Sequence, residues 1–390
     1  MPTKQMNIEK KNSPRRLSGL VSDHPLRSGN ILPMAVLPGE GIGPELMAAC
    51  EPVLRALETH TMQRFPREYG GKIGKQAMVD SGTSLTGEVI NFCRQNFQQG
   101  APLFCGPGGD RFVYKLRSEF DIYCKFVPIA PLPALRDTGV MREEAVDNVD
   151  ILLIRENVGG VYQGAWHFEH TDHGRRAHHS FQYDESHVQR IIEIAVAAAR
   201  QRKGQLCVVH KPGGTPTISE LWSEVAMQCT VGADVELRFL EVDTAAYLLL
   251  AEADSFDVVV TPNMFGDVLA DAAALLLGSR GMSYSYNVSE AGYAVYQTGH
   301  GAAYDLAGTG VANPLGQIQT LAALLRESFG LFDYSEALFK ACNQVLTDGL
   351  RTRDIMTKEA RLVSTEEMGA AVADQLATEL MAMKPLLATN

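Results

Sequence analysis

The sequence predicts an α/β fold with a largely parallel sheet. Short apolar runs have the length and composition of buried strands, and they lie at 31–38, 101–105, 149–154, 205–209 and 256–261. Amphipathic stretches separate several of these runs, and strands that alternate with helices are typical of parallel sheets. The clearest helical stretches are 188–202, 218–228, 245–253 and 268–277.

Composition narrows the class of protein. The chain has 390 residues, enough for two domains or one large α/β body, and a net charge of −11. A nucleic-acid-binding protein would show a basic patch or stripe, so we expect no nucleic acid as a partner. The seven cysteines are odd in number and form no CxxC pair, which indicates reduced thiols and a cytoplasmic location. No apolar run approaches about 18 residues, so we expect no membrane span.

Residues 1–30 are polar and basic, without the apolar core of a secretory signal. We expect a disordered N-terminal extension here. An organellar presequence is the alternative because the segment contains several arginines, although Glu9 and Asp23 count against it.

Asp267 and Asp271 follow the strand-like run at 256–261 and are predicted to open a helix. Their spacing of four residues places both carboxylates on one helix face. Oxygen ligands of this kind suit Mg²⁺ or Mn²⁺ rather than zinc. The alternative is that one aspartate caps the N-terminus of the helix and the other interacts favourably with the helix dipole. Asp243, after the apolar run at 237–242, offers a third carboxylate.

Three further side chains carry reactive or binding chemistry at strand ends. Lys211 ends the fourth strand-like run, where a nearby cavity can lower its pKa and make it a base or proton relay. Arg155 follows the third run and can bind a carboxylate through two parallel hydrogen bonds. Tyr162 could act as a general acid beside a cation. The alternatives are a solvated lysine, a surface ion pair and a packed aromatic ring.

Two glycine-rich segments could approach a ligand closely. In segment 300–314, the carboxylate of Asp305 could accept hydrogen bonds from ribose hydroxyls and repel a 2′-phosphate. A plain glycine-rich turn is the alternative. Segment 39–43, between the first strand and a helix, does not complete the GxGxxG fingerprint of a Rossmann dinucleotide site.

Together these motifs resemble the β-decarboxylating dehydrogenase family, which includes isopropylmalate, isocitrate, homoisocitrate and tartrate dehydrogenases. The motifs occur in the family's order over about residues 31–335, and they are LPGEGIGPE (37–45), LRSEFDIY (116–123), IRENVGGVYQG (154–164), VVHK (208–211), VTPNMFGDVLAD (260–271) and HGAAYDLAGTGVANP (300–314). The resemblance implies oxidation of a 3-substituted malate, with NAD as the hydride acceptor, followed by loss of CO₂.

The resemblance also implies a role for each candidate. Arg117 and Arg155 would bind the carboxylates of the small-molecule substrate. Lys211 would take part in removing the hydroxyl proton, and Tyr162 would protonate the carbon from which CO₂ departs. Three aspartates would hold Mg²⁺ or Mn²⁺, namely Asp243, Asp267 and Asp271. Asp243 would also take part in catalysis. The cofactor would contact His300, Gly301, Ala302, Asp305 and Asn313, with the acid at 305 indicating NAD.

The implied fold has two α/β domains with the site between them, helices on both faces of largely parallel sheets, and no Rossmann domain. One domain would comprise residues 31–122 and 279–390, and the other residues 123–278. The implied assembly is a homodimer with a shared active site, in which Asp243 and Lys211 reach across to the other subunit. Segment 163–187 would be an arm that clasps that subunit.

The chain departs from the family's pattern at several positions. Val127 stands where the family usually has an arginine, and Lys125 could compensate if this segment is an extended strand. Gly213 stands near a usual asparagine. Arg111 and Lys115 could bind a distal anionic group of the substrate, such as a carboxylate or phosphonate; solvated helix charges are the alternative. These departures predict a non-standard substrate.

Other functions of the same fold remain open at this point. A catalytically weak regulatory subunit would suit Val127 and Gly213, but such a subunit need not keep Tyr162, Lys211 and all three aspartates. An isopropylmalate dehydrogenase, or a tartrate-type enzyme that oxidises without obligatory decarboxylation, is a further alternative. A pure binding or scaffold protein would bind neither metal nor cofactor.

Overall fold

The computed structural model describes residues 16–23 and 29–387. The strands of this part are β1 (Met34–Leu37), β2 (Arg67–Tyr69), β3 (Leu103–Cys105), β4 (Cys124–Ile129), β5 (Ile151–Glu156), β6 (Ala165–Thr171), β7 (Gly174–Ser180), β8 (Gln205–His210), β9 (Glu236–Glu241), β10 (Val258–Thr261), β11 (Tyr284–Val288), β12 (Ala294–Thr298), β13 (Leu350–Arg351) and β14 (Arg361–Leu362).

The helices of the same part are α1 (Gly43–His60), α2 (Gly74–Ser81), α3 (Gly87–Gln98), α4 (Phe112–Glu119), α5 (Glu143–Val146), α6 (Glu185–Arg200), α7 (Pro216–Thr230), α8 (Val242–Ala251), α9 (Asn263–Ala273), α10 (Leu315–Glu327), α11 (Phe332–Thr347) and α12 (Thr365–Leu387). The α/β class is confirmed. The five strands expected from apolar runs are β1, β3, β5, β8 and β10, and the four expected helices are α6 to α9 with shifted ends. None of the helices between residues 29 and 387 combines the length and apolar character that a membrane span requires.

One ten-stranded sheet forms the centre of the molecule, in the order β2-β1-β3-β12-β11-β4-β5-β10-β8-β9. Two parallel blocks, β2-β1-β3-β12 and β5-β10-β8-β9, flank the antiparallel strands β11 and β4. The sheet is thus largely parallel, as expected, but two antiparallel strands join its halves. The ranges proposed as separate domains meet at the β11–β4 pair, and the two-domain division stays a prediction.

Helices cover both faces of the sheet, as the alternation along β1 demonstrates. Met34 and Val36 pack into a large core with residues of α1, α10 and α12. Ala35 and Leu37 point to the opposite face and pack with α3 and α4. A strand buried on both faces needs apolar residues at every position, because its side chains alternate. This explains why β1 is a continuous apolar run.

β6 and β7 form an antiparallel hairpin that is exposed along nearly its whole length. Large apolar side chains point into solvent here, since Trp166 is 52% exposed and Phe168 is 64% exposed. The hairpin lies within the segment predicted to clasp a second subunit. An isolated two-stranded hairpin is marginally stable in water, so its exposed apolar surface favours a partner.

Part of the predicted disordered extension is ordered. Ser18–Leu20 forms a turn of 3₁₀ helix, and the Ser18 backbone N–H donates to the Glu327 carboxylate at 3.0 Å. Arg16 Nη1 donates to the Glu327 carbonyl oxygen at 2.9 Å. Glu327 is buried at the end of α10 and needs such donors, which explains why this segment is ordered. Residues 1–15 and 24–28 lie outside the described residues.

Candidate active site

Arg155, near the end of β5, is the centre of the candidate site. Its side chain is 2% exposed, and its Nε and Nη2 donate to Asn263 Oδ1 at 3.0 and 2.8 Å. Its Nη1 donates to the carboxylate of Asp267. β5 and β10 are parallel neighbours with Arg155 opposite Thr261, so α9, which follows β10, begins beside Arg155. The carboxyl ends of parallel strands therefore bring together residues more than a hundred positions apart.

α9 passes so close to β5 that Gly266 has no space for a side chain. A Cβ there would lie 2.2 Å from Thr261 Oγ1 and 2.9 Å from Arg155 Cβ. The helix begins at Asn263, and Asp267 lies in its second turn, so the prediction that the two aspartates open the helix is wrong. The alternative of a capping aspartate is wrong for the same reason. Asp267 and Asp271 nevertheless lie on one helix face, as predicted, because this depends only on their spacing of four residues.

Asp267 and Asp271 lie on this face in different electrostatic surroundings. Burial would raise the pKa of Asp267, but the charges of Arg155 and Lys125 outweigh it and hold the pKa below its usual value. Burial raises the pKa of Asp271, against the attraction of Arg280, whose Nη2 lies 2.7 Å from Asp271 Oδ2. Two carboxylates one turn apart supply hard oxygen ligands, which fit Mg²⁺ or Mn²⁺.

Two more buried cations face these carboxylates. Arg117 on α4 is 5% exposed and Lys125 on β4 is 7% exposed. Burial, and then the charge of Arg155, lowers the pKa of Arg117 to about 9. Burial, and then the two arginines, lowers the pKa of Lys125 well below its usual value. Within residues 16–23 and 29–387, neither Arg117 Nε nor the Lys125 ammonium has a hydrogen-bond partner, so both are suited to an anion.

Tyr162 lies in the short 3₁₀ helix Val161–Gln163, which follows β5. A hydrogen bond from its side chain helps to lower the pKa of Asp267. Burial, and then the charge of Asp267, raises the pKa of Tyr162 above its usual value. The phenol therefore keeps its proton at neutral pH, as a general acid requires.

Arg111, just before α4, contacts the segment that carries Tyr162. Its Nη2 donates to the Tyr162 carbonyl oxygen at 2.8 Å, and its guanidinium lies 4.5 Å from the centre of a Trp166 ring. Lys115 points elsewhere, because its Nζ donates to Thr83 Oγ1 at 2.8 Å. Neither side chain is a simple solvated charge. Arg111 supports the Tyr162 loop and the hairpin at the same time.

Lys211 and Asp243 form a second cluster, next to the ends of β8 and β9. Lys211 Nζ lies 2.7 Å from Asp243 Oδ1 and 2.6 Å from Glu241 Oε2. These contacts, chiefly the one to Asp243, raise the pKa of Lys211. The prediction of a lowered pKa is therefore wrong for this chain alone, because the lysine is solvated and paired with acids rather than buried.

The three predicted metal ligands are not gathered within one chain. In the described ranges, no three His, Cys, Asp or Glu side chains lie close enough to hold a metal ion. Asp267 and Asp271 provide two ligands on α9, whereas Asp243 is engaged with Lys211. A site shared between subunits stays a prediction. Gly213 near this second cluster has open space around it.

The predicted cofactor loop lies against the glycine turn that precedes α1. The Ile42 backbone N–H donates to the Ala302 carbonyl oxygen at 2.9 Å. Gly41 has a φ of +60°, and a Cβ there would lie 1.9 Å from the same oxygen, so only glycine fits. Gly301 and Asp305 are exposed and accessible to a ligand.

His300 and Asn313, at the two ends of this loop, are held internally. His300 Nδ1 lies 3.0 Å from the Gly301 carbonyl oxygen, while its buried Nε2 has no hydrogen-bond partner among the residues that the structure describes. Burial lowers the pKa of His300, which favours a neutral ring. Asn313 is buried, and its Nδ2 donates to Asp354 Oδ2 at 3.1 Å. Its side-chain oxygen accepts from the Leu315 N–H at 2.9 Å, which fixes the start of α10.

Glu40 and Tyr304 form a contact that sequence reasoning missed. The Tyr304 hydroxyl donates to Glu40 Oε1 at 2.5 Å, and the same oxygen accepts from the backbone N–H groups of Lys75 and Gly109 at 2.9 and 2.6 Å. The glycine turn that carries Glu40, the start of α2 and the loop before α4 thus meet at the predicted cofactor loop, which carries Tyr304. No motif pairs the two residues, but the acid inside the glycine turn is a signal that could have been followed.

Comparison with known proteins agrees with this geometry. The sequence model described as isocitrate/isopropylmalate dehydrogenase matches residues 33–372. A 3-isopropylmalate dehydrogenase of Syntrophotalea carbinolica is 37% identical over 361 residues, which cover 88% of this chain and 98% of the relative. A 3-isopropylmalate dehydrogenase of Geobacillus kaustophilus is 36% identical over 349 residues, covering 86% and 93%.

A solved structure has the same architecture. The crystal structure of isocitrate dehydrogenase from Methylococcus capsulatus superposes with a TM-score of 0.78 at 28% identity, covering 89% of this chain and 99% of that one. The chain therefore belongs to the isocitrate/isopropylmalate dehydrogenase family and is a decarboxylating dehydrogenase that acts on a CH–OH group.

Proposed function

We propose that the chain oxidises and decarboxylates a 3-substituted malate, with NAD as hydride acceptor and with Mg²⁺ or Mn²⁺. The observation that carries this proposal is the buried group of Arg117, Lys125 and Arg155 around Asp267, with Tyr162 beside it. Three buried cations at one edge of a sheet are costly unless anions reach them. A dicarboxylate substrate is an anion of the required charge.

The side chains of the site divide the chemistry. Arg117 and Arg155 orient the substrate carboxylates, which holds the reacting carbon in place. Tyr162 keeps its proton until it delivers it to the carbon that loses CO₂. A bound divalent cation would stabilise negative charge that develops on the substrate oxygens. Asp267 and Asp271 would hold that cation together with the partner subunit's Asp243.

Exposed apolar side chains support a homodimer. On α9, Met264 is 40% and Val268 is 58% exposed, one turn apart on one face, and Tyr247 of α8 is 71% exposed. The β6–β7 hairpin adds Trp166 and Phe168. Large apolar surface of this kind marks a protein interface, and it lies on the helix that carries the metal ligands. An interface here would bring a second subunit's lysine and aspartate to the site.

Asp305 supports NAD rather than NADP. Its carboxylate is exposed in the loop at 300–314, where it can accept from ribose hydroxyls and would repel a 2′-phosphate. Asp305→Ala is expected to raise the KM for NAD⁺ about 10-fold and to reduce discrimination against NADP⁺, because a charged hydrogen bond is lost. Steady-state kinetics with both cofactors measures this. A KM ratio equal to that of wild type would contradict the assignment.

We propose that the substrate substituent differs from isopropyl and carries an anionic group near Arg111. The test is a screen for NADH formation with Mn²⁺ on isopropylmalate, isocitrate, homoisocitrate, tartrate, malate and phosphonomethylmalate. Arg111→Ala should then impair substrates with a charged substituent more strongly than the others. If all substrates are impaired equally, Arg111 only supports the Tyr162 loop. If isopropylmalate is turned over fastest, the proposal of a non-standard substrate is wrong.

The same screen separates the enzyme from the alternatives. CO₂ released in step with NADH supports oxidative decarboxylation, whereas NADH without CO₂ would indicate a tartrate-type reaction. No turnover of any substrate by the purified homodimer would favour a regulatory subunit. The seven cysteines, all unpaired, support the proposed cytoplasmic location.

A further inference from the structure

We propose that Lys125 binds a carboxylate of the malate core and so supplies the cation that the family resemblance implies at the position of Val127. The inference rests on the proposed function, because it names the residue that recognises the substrate of that site.

The strand register places Lys125 at the site and Val127 away from it. β4 runs antiparallel to β5, with Lys125 opposite Arg155 and Val127 opposite Leu153. The beginning of β4 therefore lies at the same edge of the sheet as the end of β5. Val127 is two residues further into the sheet, where it is 1% exposed within the apolar core. A cation at position 125 faces Arg155 directly, without having to reach out from the core.

The charges around Lys125 call for an anion. Arg155 has its acceptors, Asn263 and Asp267, whereas Lys125 has no hydrogen-bond acceptor in the part of the chain that the structure describes. The acids that attract Lys125 are Asp267 and Asp271, and the cations that repel it are Arg117 and Arg155. The two acids are the predicted metal ligands, so their charge is shared with the metal in the loaded site. A substrate carboxylate supplies the missing acceptor.

A lysine in this place changes how the carboxylate is held. The ammonium is a point charge on a flexible stem, whereas an arginine would bind both carboxylate oxygens in one plane. Lys125 therefore fixes charge and distance but not the rotation of the carboxylate. Because every candidate substrate contains the malate core, the contribution of Lys125 must be independent of the C3 substituent.

The test is calorimetric titration of the full-length homodimer with malate in the presence of Mn²⁺ and without NAD, so that no turnover occurs. Lys125→Met should raise the Kd about 30-fold or more, since a buried charged contact is lost. Lys125→Arg should keep most of the affinity, because it keeps the charge. The matched control is Lys115→Met, a lysine on α4 that bonds to Thr83, and its Kd should stay within about twofold of wild type.

Kinetics supply the second readout. Lys125→Met should raise KM by a similar factor for each active substrate, whatever its C3 substituent. Thermal unfolding shows that the variant is folded; if it is not, Lys125→Gln replaces it in both measurements. A folded variant that binds malate like wild type overturns the role of Lys125 and leaves the proposed function standing. A wild-type protein that neither binds malate nor turns over any of the six substrates overturns the proposed function as well.

Discussion

Two clusters of charged side chains at the carboxyl ends of the strands differ in one respect. In the first, Arg155 is 2% exposed and is bonded to Asn263 and Asp267. In the second, Lys211 and Asp243 have side chains that are 31% and 68% exposed, although they form a close ion pair. The same types of residue are thus buried in one place and solvated in the other.

The difference indicates which cluster is complete in one subunit. A buried charge needs its partners in the folded chain, because leaving it unpaired is costly. An exposed pair contributes little to stability and can exchange its partner cheaply. The first cluster is therefore built by folding, whereas the second can be completed by association. This contrast supports the proposal of a shared site and suggests how to test it.

The largest expected effect is on the buried cluster. Arg155→Ala should lower the free energy of unfolding by about 2–3 kcal/mol, because Asn263 and Asp267 lose their donor. The cost stays below that of a fully buried pair, since 40% of the Asp267 side chain is exposed and the repulsion on Lys125 is relieved. Urea unfolding measures it. Lys211→Ala is the control and should leave the urea midpoint unchanged. If the two variants shift the urea midpoint equally, the buried and the exposed cluster do not differ as described.

The second prediction separates a shared site from a site within one subunit. Lys211→Met and Asp267→Asn should each abolish activity as homodimers. When the two variants are unfolded together and refolded, about a quarter of wild-type activity should return, because half of the dimers are hybrids with one of two sites intact. If both residues act within one subunit, every hybrid site carries a defect and the mixture stays inactive. Refolded wild type gives the reference activity.

The smallest expected effect is a pH dependence confined to the buried side. Glu156 is fully buried beside Arg155, and burial raises its pKa to about 7. A raised acid pKa means that ionisation opposes folding: the penalty is absent below the unfolded pKa near 4.5 and complete above about 7. Glu156→Gln should therefore raise the Tm at pH 8 relative to wild type by more than it does at pH 5.

The matched variant for this prediction is Asp243→Asn on the exposed side. Lys211 lowers the pKa of Asp243 below its usual value, so this acid is ionised in both the folded and the unfolded chain between pH 5 and pH 8. Its replacement should shift the Tm by the same amount at both pH values. A Tm difference for Glu156→Gln that is independent of pH would argue against a raised pKa.

The sequence predicts β1, β3, β5, β8 and β10 because each contains a short apolar run that the fold buries. It does not predict β4, β11 and β12. Their places in the sheet depend on pairing with distant segments, β4 with β11 and β3 with β12, rather than on a local pattern. The sequence places the start of α9 at Asp267, whereas the helix begins at Asn263. In the fold, Gly266 is required by the close approach of α9 to Arg155, which no local pattern contains.

The candidate site likewise contains residues that the sequence predicts and contacts that it does not predict. Arg155, Asp267 and Asp271 are recognisable from their positions after strands. The unpaired state of Lys125 and the contact between Glu40 and Tyr304 depend on the strand register and on loops that meet only in the folded chain. The partners of Lys211 could not be predicted because they come from the neighbouring strand.

The hydrogen bond between the Ile42 N–H and the Ala302 carbonyl oxygen has a consequence for protein engineering. The oxygen occupies the space that a side chain at Gly41 would need, so turn and loop fit each other as a pair. Grafting segment 300–314 from a dehydrogenase with another cofactor preference would misplace this oxygen unless the donor's turn is transferred with it. Exchange of this loop therefore requires two grafts, at positions far apart in the chain.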